Sequence, residues 1–147
     1  MSRSKKIVIG LVVVLAALQL VPVDRSNPPA TGVIEGPAEV VAILERACYD
    51  CHSNKTAWPW YSHVAPVSFL VADDVEEGRK HLNFSEWAQL SASDQSKAIE
   101  EIWEEVEEDE MPLWFYTPLH PDAKLSDADR ETLRAWAAVE GSRGESD

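Results

Sequence analysis

Cys48-Tyr49-Asp50-Cys51-His52 contains the only two cysteines of this 147-residue chain, three positions apart, with a histidine directly after the second. Such a spacing serves three chemistries. The sulfurs can pair as a disulfide where the compartment is oxidising, but the thioredoxin form of C-x-x-C needs a βαβ setting, and no alternating strand pattern is present. They can join histidines around zinc, but that site wants H-x3–5-H about a dozen residues on, and the later histidines, His63, His81 and His120, are widely spread. Or they can attach a c-type haem, for which C-x-x-C-H is the signature. The residues before the motif favour the last. Val40, Leu44, Ala47, Cys48 and Cys51 follow a helical period, so one amphipathic helix is expected to run through the motif. Positions i, i+3 and i+4 share a helix face. Cys48 and Cys51 are thus expected to bond a porphyrin edge and His52 to reach the iron as proximal ligand.

For the sixth iron position the sequence offers Met111, the only methionine apart from Met1, 59 residues beyond His52 and followed by Pro112. A thioether ligand favours reduced iron. His63, His81 and His120 are the alternatives, as is an open position. The segment 57–66, A-W-P-W-Y-S-H-V-A-P, places Trp58, Trp60 and Tyr61 as candidate pocket aromatics with polar ends; Trp114 and Tyr116 beside Met111 are others. The rival role for each is ordinary packing.

The ends of the chain differ from its middle. Arg3, Lys5 and Lys6 precede Ile7–Val21, apolar except for Gly10 and Gln19. That is a basic region followed by an apolar one, of marginal length for a bilayer-spanning helix. No A-x-A follows, so residues 1–23 are read as an uncleaved signal-anchor, with everything after it outside the cytoplasmic membrane. Residues 24–36, rich in Pro and Gly, read as an extended linker, 37–140 as the haem-binding domain and 141–147 as a disordered tail.

Residues 1–25 carry four basic groups and one acidic; with −13 overall, −16 falls on residues 26–147. That excludes nucleic acid as a partner and suits a redox protein with a basic docking face. Eight of the eleven residues from Glu100 to Glu110 are acidic. The expected elements are all helical. One leads into the motif; one runs from Pro66 to about His81 with Val67, Leu70, Val71 and Val75 inward. A short turn falls at 85–90. Another helix starts at Ser91 or Ser93, with Ile99, Ile102, Trp103 and Val106 inward. The last opens on the capping pattern Ser126-Asp-Ala-Asp129, with Leu125, Leu133, Trp136 and Val139 inward.

A-C-Y-D-C-H-S-N, W-P-W-Y-S, A-P-V-S, H-L-N-F-S-E-W and E-M-P-L-W, taken together, resemble the bacterial haem-binding domain family of small, membrane-attached single-haem proteins, over about 27–139. The resemblance implies an all-α, cytochrome c-like domain, one covalent haem c through Cys48 and Cys51, and His52 on the iron. The closing half is also similar to class I cytochromes c, whose distal methionine falls on Met111. The function implied is one-electron transfer; a gas or redox sensor, or a small peroxidase with a labile sixth position, is the alternative.

Overall fold

The computed structural model describes residues 2–144, and among them every regular element is helical. Six α-helices form: α1 (Arg3–Leu18), α2 (Ala38–Ala47), α3 (Tyr49–His52), α4 (Val67–His81), α5 (Ala92–Glu107) and α6 (Asp127–Gly144), with short 3₁₀ turns at Trp60–His63, Phe84–Gln89 and Pro121–Ala123.

Ser2 caps α1, and none of its residues is buried. No helix among the described residues is long and apolar enough to cross a membrane, which corrects the expected spanning helix. α1 ends four residues before Pro22, whose ring and missing N–H oppose a continued helix. Sixteen residues rise only about 24 Å. Gln19 then ties the chain to the loop before α4. Its amide nitrogen donates to the His63 carbonyl at 2.7 Å, and its oxygen accepts from the Ala65 N–H at 3.0 Å.

Residues 24–36 are extended, but they are bound along the domain rather than free. The Thr31 and Gly32 N–H groups both donate to the Ser85 carbonyl at 2.9 Å, and Ile34 is buried in the core. Gly32 meets Ala88 so closely that a Cβ there would lie 2.7 Å from the Ala88 Cβ.

α2 buries Val40, Leu44 and Ala47, the stripe expected from its period, and Ile43 beside them. It does not continue through the motif. Cys48 leaves helical geometry at φ −123°, ψ −31°, and a separate turn, α3, follows. The break lets Tyr49 turn inward to stack on Phe84, 5.1 Å between centroids.

α4 also differs from expectation. Val67 and Leu70 are exposed, and its buried residues are Ser68 and Val75. Its inner face is chosen by close approach to α3, which a small residue allows, rather than by its most apolar stripe. α5 is capped by Ser91 and buries Ile99 and Val106, with Ile102 and Trp103 packed beside them. α6 opens on the reciprocal pair in which the Ser126 N–H donates to Asp129 and the Asp129 N–H to Ser126 Oγ. Leu125, Leu133 and Trp136 enter the core, while Val139 is exposed. α6 runs on to Gly144, into the segment expected as a tail; residues 145–147 lie outside the described residues. One core joins α2, α5 and α6 to Tyr49, Phe84 and Trp87.

Candidate functional site

A cavity of about 480 Å³ opens where α3, α4, α5 and the chain after α5 meet, within the usual range for cofactor sites. Cys48, Cys51, His52 and Met111 all line it. Its buried wall is apolar, with Ala47, Phe84 and Val106, and Tyr116 adds an aromatic edge. Its outer rim is acidic: Asp50, Asp74, Glu77, Glu101, Glu104 and Glu105 line it, and among the described residues no Lys or Arg does.

Both cysteines are free thiols. Burial pushes each up to about 12, helped at Cys48 by Cys51 and at Cys51 by Asp74 and Asp50. His52 Nδ1 lies 3.1 Å from the Leu82 carbonyl oxygen. A carbonyl only accepts, so Nδ1 carries the proton and Nε2 keeps its lone pair. Burial lowers the pKa of the ring, which holds it neutral. A neutral imidazole with one nitrogen tied to a backbone carbonyl is the form that binds a metal.

The motif turn is held by the segment H-L-N-F-S-E-W. Leu82 takes the His52 proton donor, and the Phe84 ring meets the His52 ring edge-on at 6.4 Å. Asn83 donates to Asn54 Oδ1 at 2.9 Å, and Ser85 Oγ accepts from the Asn54 N–H at 2.9 Å. Arg79 of α4 completes the hold, donating to the Ser53 carbonyl, to Thr56 Oγ1 and to Ser26 and Asn27. Buried networks satisfied in this way fix one arrangement. α4 comes closest at Gly78, where an added Cβ would lie 2.7 Å from the Cys51 carbonyl oxygen.

Met111 reaches the cavity because α5 stops sharply. Glu110 N–H donates to the Glu105 carbonyl and Asp109 N–H to Val106, with Asp109 at φ 60°. That is a Schellman ending with an aspartate in the glycine-favoured place. Arg130 of α6 locks it, donating to the Val106 carbonyl and pairing with Asp109 at 2.6 Å.

Trp58, Trp60, Tyr61 and Trp114, expected around the same pocket, do not line this cavity. Trp60 and Trp114 are 78% and 81% exposed. Trp58 faces a second cavity, of about 500 Å³, between the segment after α1 and α4, and its indole N–H is buried without a partner. The 3₁₀ turn at Trp60–His63, which carries Trp60 and Tyr61, packs on α4. Tyr116, the other aromatic expected beside Met111, does line the cavity, and Phe84 joins it in the aromatic wall. Of the alternative ligands, His81 lines the cavity, His63 is exposed, and His120 is bound to Tyr61. The sequence reading passed over Asp50, Gly78, Arg79 and Leu82; a lone glycine inside a helical pattern was the one available signal.

A sequence profile of the haem-binding domain family matches residues 13–139. The chain belongs to this haem-binding domain family. The match supports a haem protein, and the cavity's donor set suits one: an imidazole with a free lone pair, a thioether and two thiols in an apolar recess. The chain is also 26% identical, over 117 residues, to the cytochrome c peroxidase Ccp of Escherichia coli strain K12. That alignment covers 78% of this chain and 25% of the relative, so the chain spans about a quarter of the curated protein it matches. No solved structure matches the chain.

Proposed function

We propose that this haem-binding domain is a c-type cytochrome, tethered at the outer side of the cytoplasmic membrane, that passes single electrons to a redox partner. The observation that carries the reading is the convergence of Cys48, Cys51, His52 and Met111 on one cavity. A bound haem would supply an iron that changes oxidation state by one electron. The chain's own part is to hold and orient it. Cys48 and Cys51 would each add their S–H across a vinyl group, forming a thioether without any redox change. His52 Nε2 and Met111 Sδ would be the donors that hold the haem iron. Phe84, Ala47 and Val106 keep water from the inner wall.

The tether in this reading is α1 with the residues up to Val23. Its side chains are not buried against the domain, and its basic flank precedes an apolar run. This helix rises only about 24 Å against a bilayer core of about 30 Å, so the tether in this reading holds the chain at the membrane without a helix that spans it. The acidic rim fits a partner with a basic face.

Expression with the export and haem-ligation machinery, then denaturing electrophoresis and haem staining, tests covalent attachment; a colourless band sinks it. Met111→Ala is expected to change the absorption spectrum and lower the midpoint potential, and unchanged values would remove Met111 from the iron. Membrane fractionation of the full chain, against a chain lacking residues 1–23, tests the tether.

The likeness to a cytochrome c peroxidase supports a second reading, a peroxide-reducing site with a labile sixth position. Carbon monoxide binding by the ferrous wild type at low concentration would favour it over the electron carrier.

A further inference from the structure

Four rings lead from the cavity wall to solvent. Tyr116 lines the cavity, and its Oη donates to Asp50 Oδ2 at 2.6 Å. Its ring lies flat on the His120 imidazole, 4.0 Å between centroids and 9° between planes. His120 Nε2 is 2.5 Å from Tyr61 Oη. Tyr61 meets Trp60 edge to face at 5.8 Å, and Trp60 is 78% exposed. Each phenol on this line therefore has a partner able to take its proton: a carboxylate for Tyr116 and, in the tautomer with Nε2 unprotonated, the His120 imidazole for Tyr61. A phenol that loses an electron becomes a strong acid, so an acceptor in place makes its one-electron oxidation far easier. Tyr49, the third tyrosine of the chain, instead stacks on Phe84 in the core.

We propose that Tyr116, His120, Tyr61 and Trp60 form a path for single oxidising equivalents between the cavity wall and the surface, with Asp50 and His120 holding the phenolic protons and Trp60 as the surface terminus. The path rests on the peroxide-reducing reading, because phenols need an oxidant of peroxide strength, and hydrogen peroxide is that oxidant. An electron leaves Tyr116 and its proton moves to Asp50. Tyr61 then re-reduces Tyr116, which takes its proton back, while the Tyr61 proton passes to His120. Trp60 re-reduces Tyr61, which recovers its own proton, and a one-electron donor at the surface restores Trp60. Two such electrons, with two protons from solvent, convert one hydrogen peroxide to two waters.

Trp114 is an internal control. It is as exposed, at 81%, but its ring packs on Phe115 rather than on a ring of the path. In the first arm the haem-loaded full chain is treated with hydrogen peroxide, and oxidised tryptophan is mapped by mass spectrometry. Oxidation at Trp60 is expected well above that at Trp114, with the excess lost in Tyr116→Phe and in Tyr61→Phe, which keep the rings. Equal oxidation of the two tryptophans, or an excess that survives both substitutions, overturns the path. The second arm needs no haem: the full chain is flash-photolysed with ruthenium tris(bipyridine) and persulfate. A phenoxyl absorption is expected whose yield drops several-fold in Tyr61→Phe; an unchanged yield overturns the path. A yield that drops as expected, in a chain that never stains for haem, supports the path and refutes the haem reading alone.

Discussion

Gly78 and Cys51 show how tightly single residues set this site. A methyl group at position 78 would sit 2.7 Å from the Cys51 carbonyl oxygen and 3.1 Å from its Cβ, and a backbone carbonyl cannot swing aside as a side chain can. Alanine is the better helix former by about 1 kcal/mol, so propensity alone makes Gly78→Ala stabilising. Overpacking against α3 costs about 1–3 kcal/mol and should win, giving a net loss of about 1 kcal/mol in urea unfolding and less haem attached per chain. A gain in stability would show that α4 yields freely at this point. The thiols supply a second prediction at the same scale. With each pushed up to about 12 by burial, the haem-free folded chain at pH 8 holds on the order of a thousandfold less thiolate than ordinary cysteine. Iodoacetamide should therefore label Cys48 and Cys51 slowly, and quickly once urea is added. Fast labelling of the folded chain would mean that the recess is open to water at the sulfurs.

The elements that carry the site are fixed largely at their ends. At the end of α5, Arg130 reaches a buried carbonyl and a 78%-exposed carboxylate. The exposed ion pair contributes little, whereas the bond to the Val106 carbonyl is sheltered. Arg130→Ala should cost about 1–3 kcal/mol, while Asp109→Asn, which keeps a side chain that tolerates positive φ, should change stability much less; equal losses in thermal unfolding would shift the weight to the ion pair. At the start of α6, Arg46 and Ser126 hold the Asp129 carboxyl down to about 2. Its folded value is depressed, so its stabilisation is present above the unfolded value, about 4, and fades as pH falls through about 2. Asp129→Asn should flatten the stability–pH curve in that window; an unaltered acid limb would count against the Arg46 tie. These ends also show what the sequence could tell. Ser126 and Asp129 announce their cap, and Ser91 announces α5, because caps are local chemistry. The stripes of α2 and α5 are readable because both helices bury an apolar face. The exposed Val67 and Leu70 mislead because α4 is placed by Gly78 and Arg79, neither of which adds to an apolar pattern. The break at Cys48 is invisible to periodicity, since the cysteines keep their spacing through it. C-x-x-C-H directs attention to Cys48, Cys51 and His52, and Met111 stands out as the only late methionine. Leu82, whose carbonyl orients His52, acts through its backbone and so leaves no mark in residue type.

The charge of the whole molecule acts on the site through the rim. Of the −16 carried by residues 26–147, six carboxylates line the cavity with no Lys or Arg among its lining residues. Negative charge near an iron favours its more positive, oxidised form, so in the proposed cytochrome the rim should hold the potential below what the same ligands would give in neutral surroundings. A unit charge about 10 Å away in water is worth about 0.4 kcal/mol, or roughly 20 mV for one electron. Glu101, Glu104 and Glu105 all line the cavity and are exposed, so their side chains can change without repacking the core. Replacing all three with glutamine should therefore raise the midpoint potential by roughly 50 mV at low ionic strength, read by a redox titration of the haem-loaded chain. In 1 M salt the screening length falls to about 3 Å, and the difference between variant and wild type should all but vanish. The same substitutions should slow electron exchange with a basic partner protein and weaken its salt dependence, because steering and potential draw on the same charges. A potential that does not move at low salt, in a variant whose partner kinetics do change, would place the carboxylates over the docking surface alone and leave the iron's potential to its ligands and apolar wall.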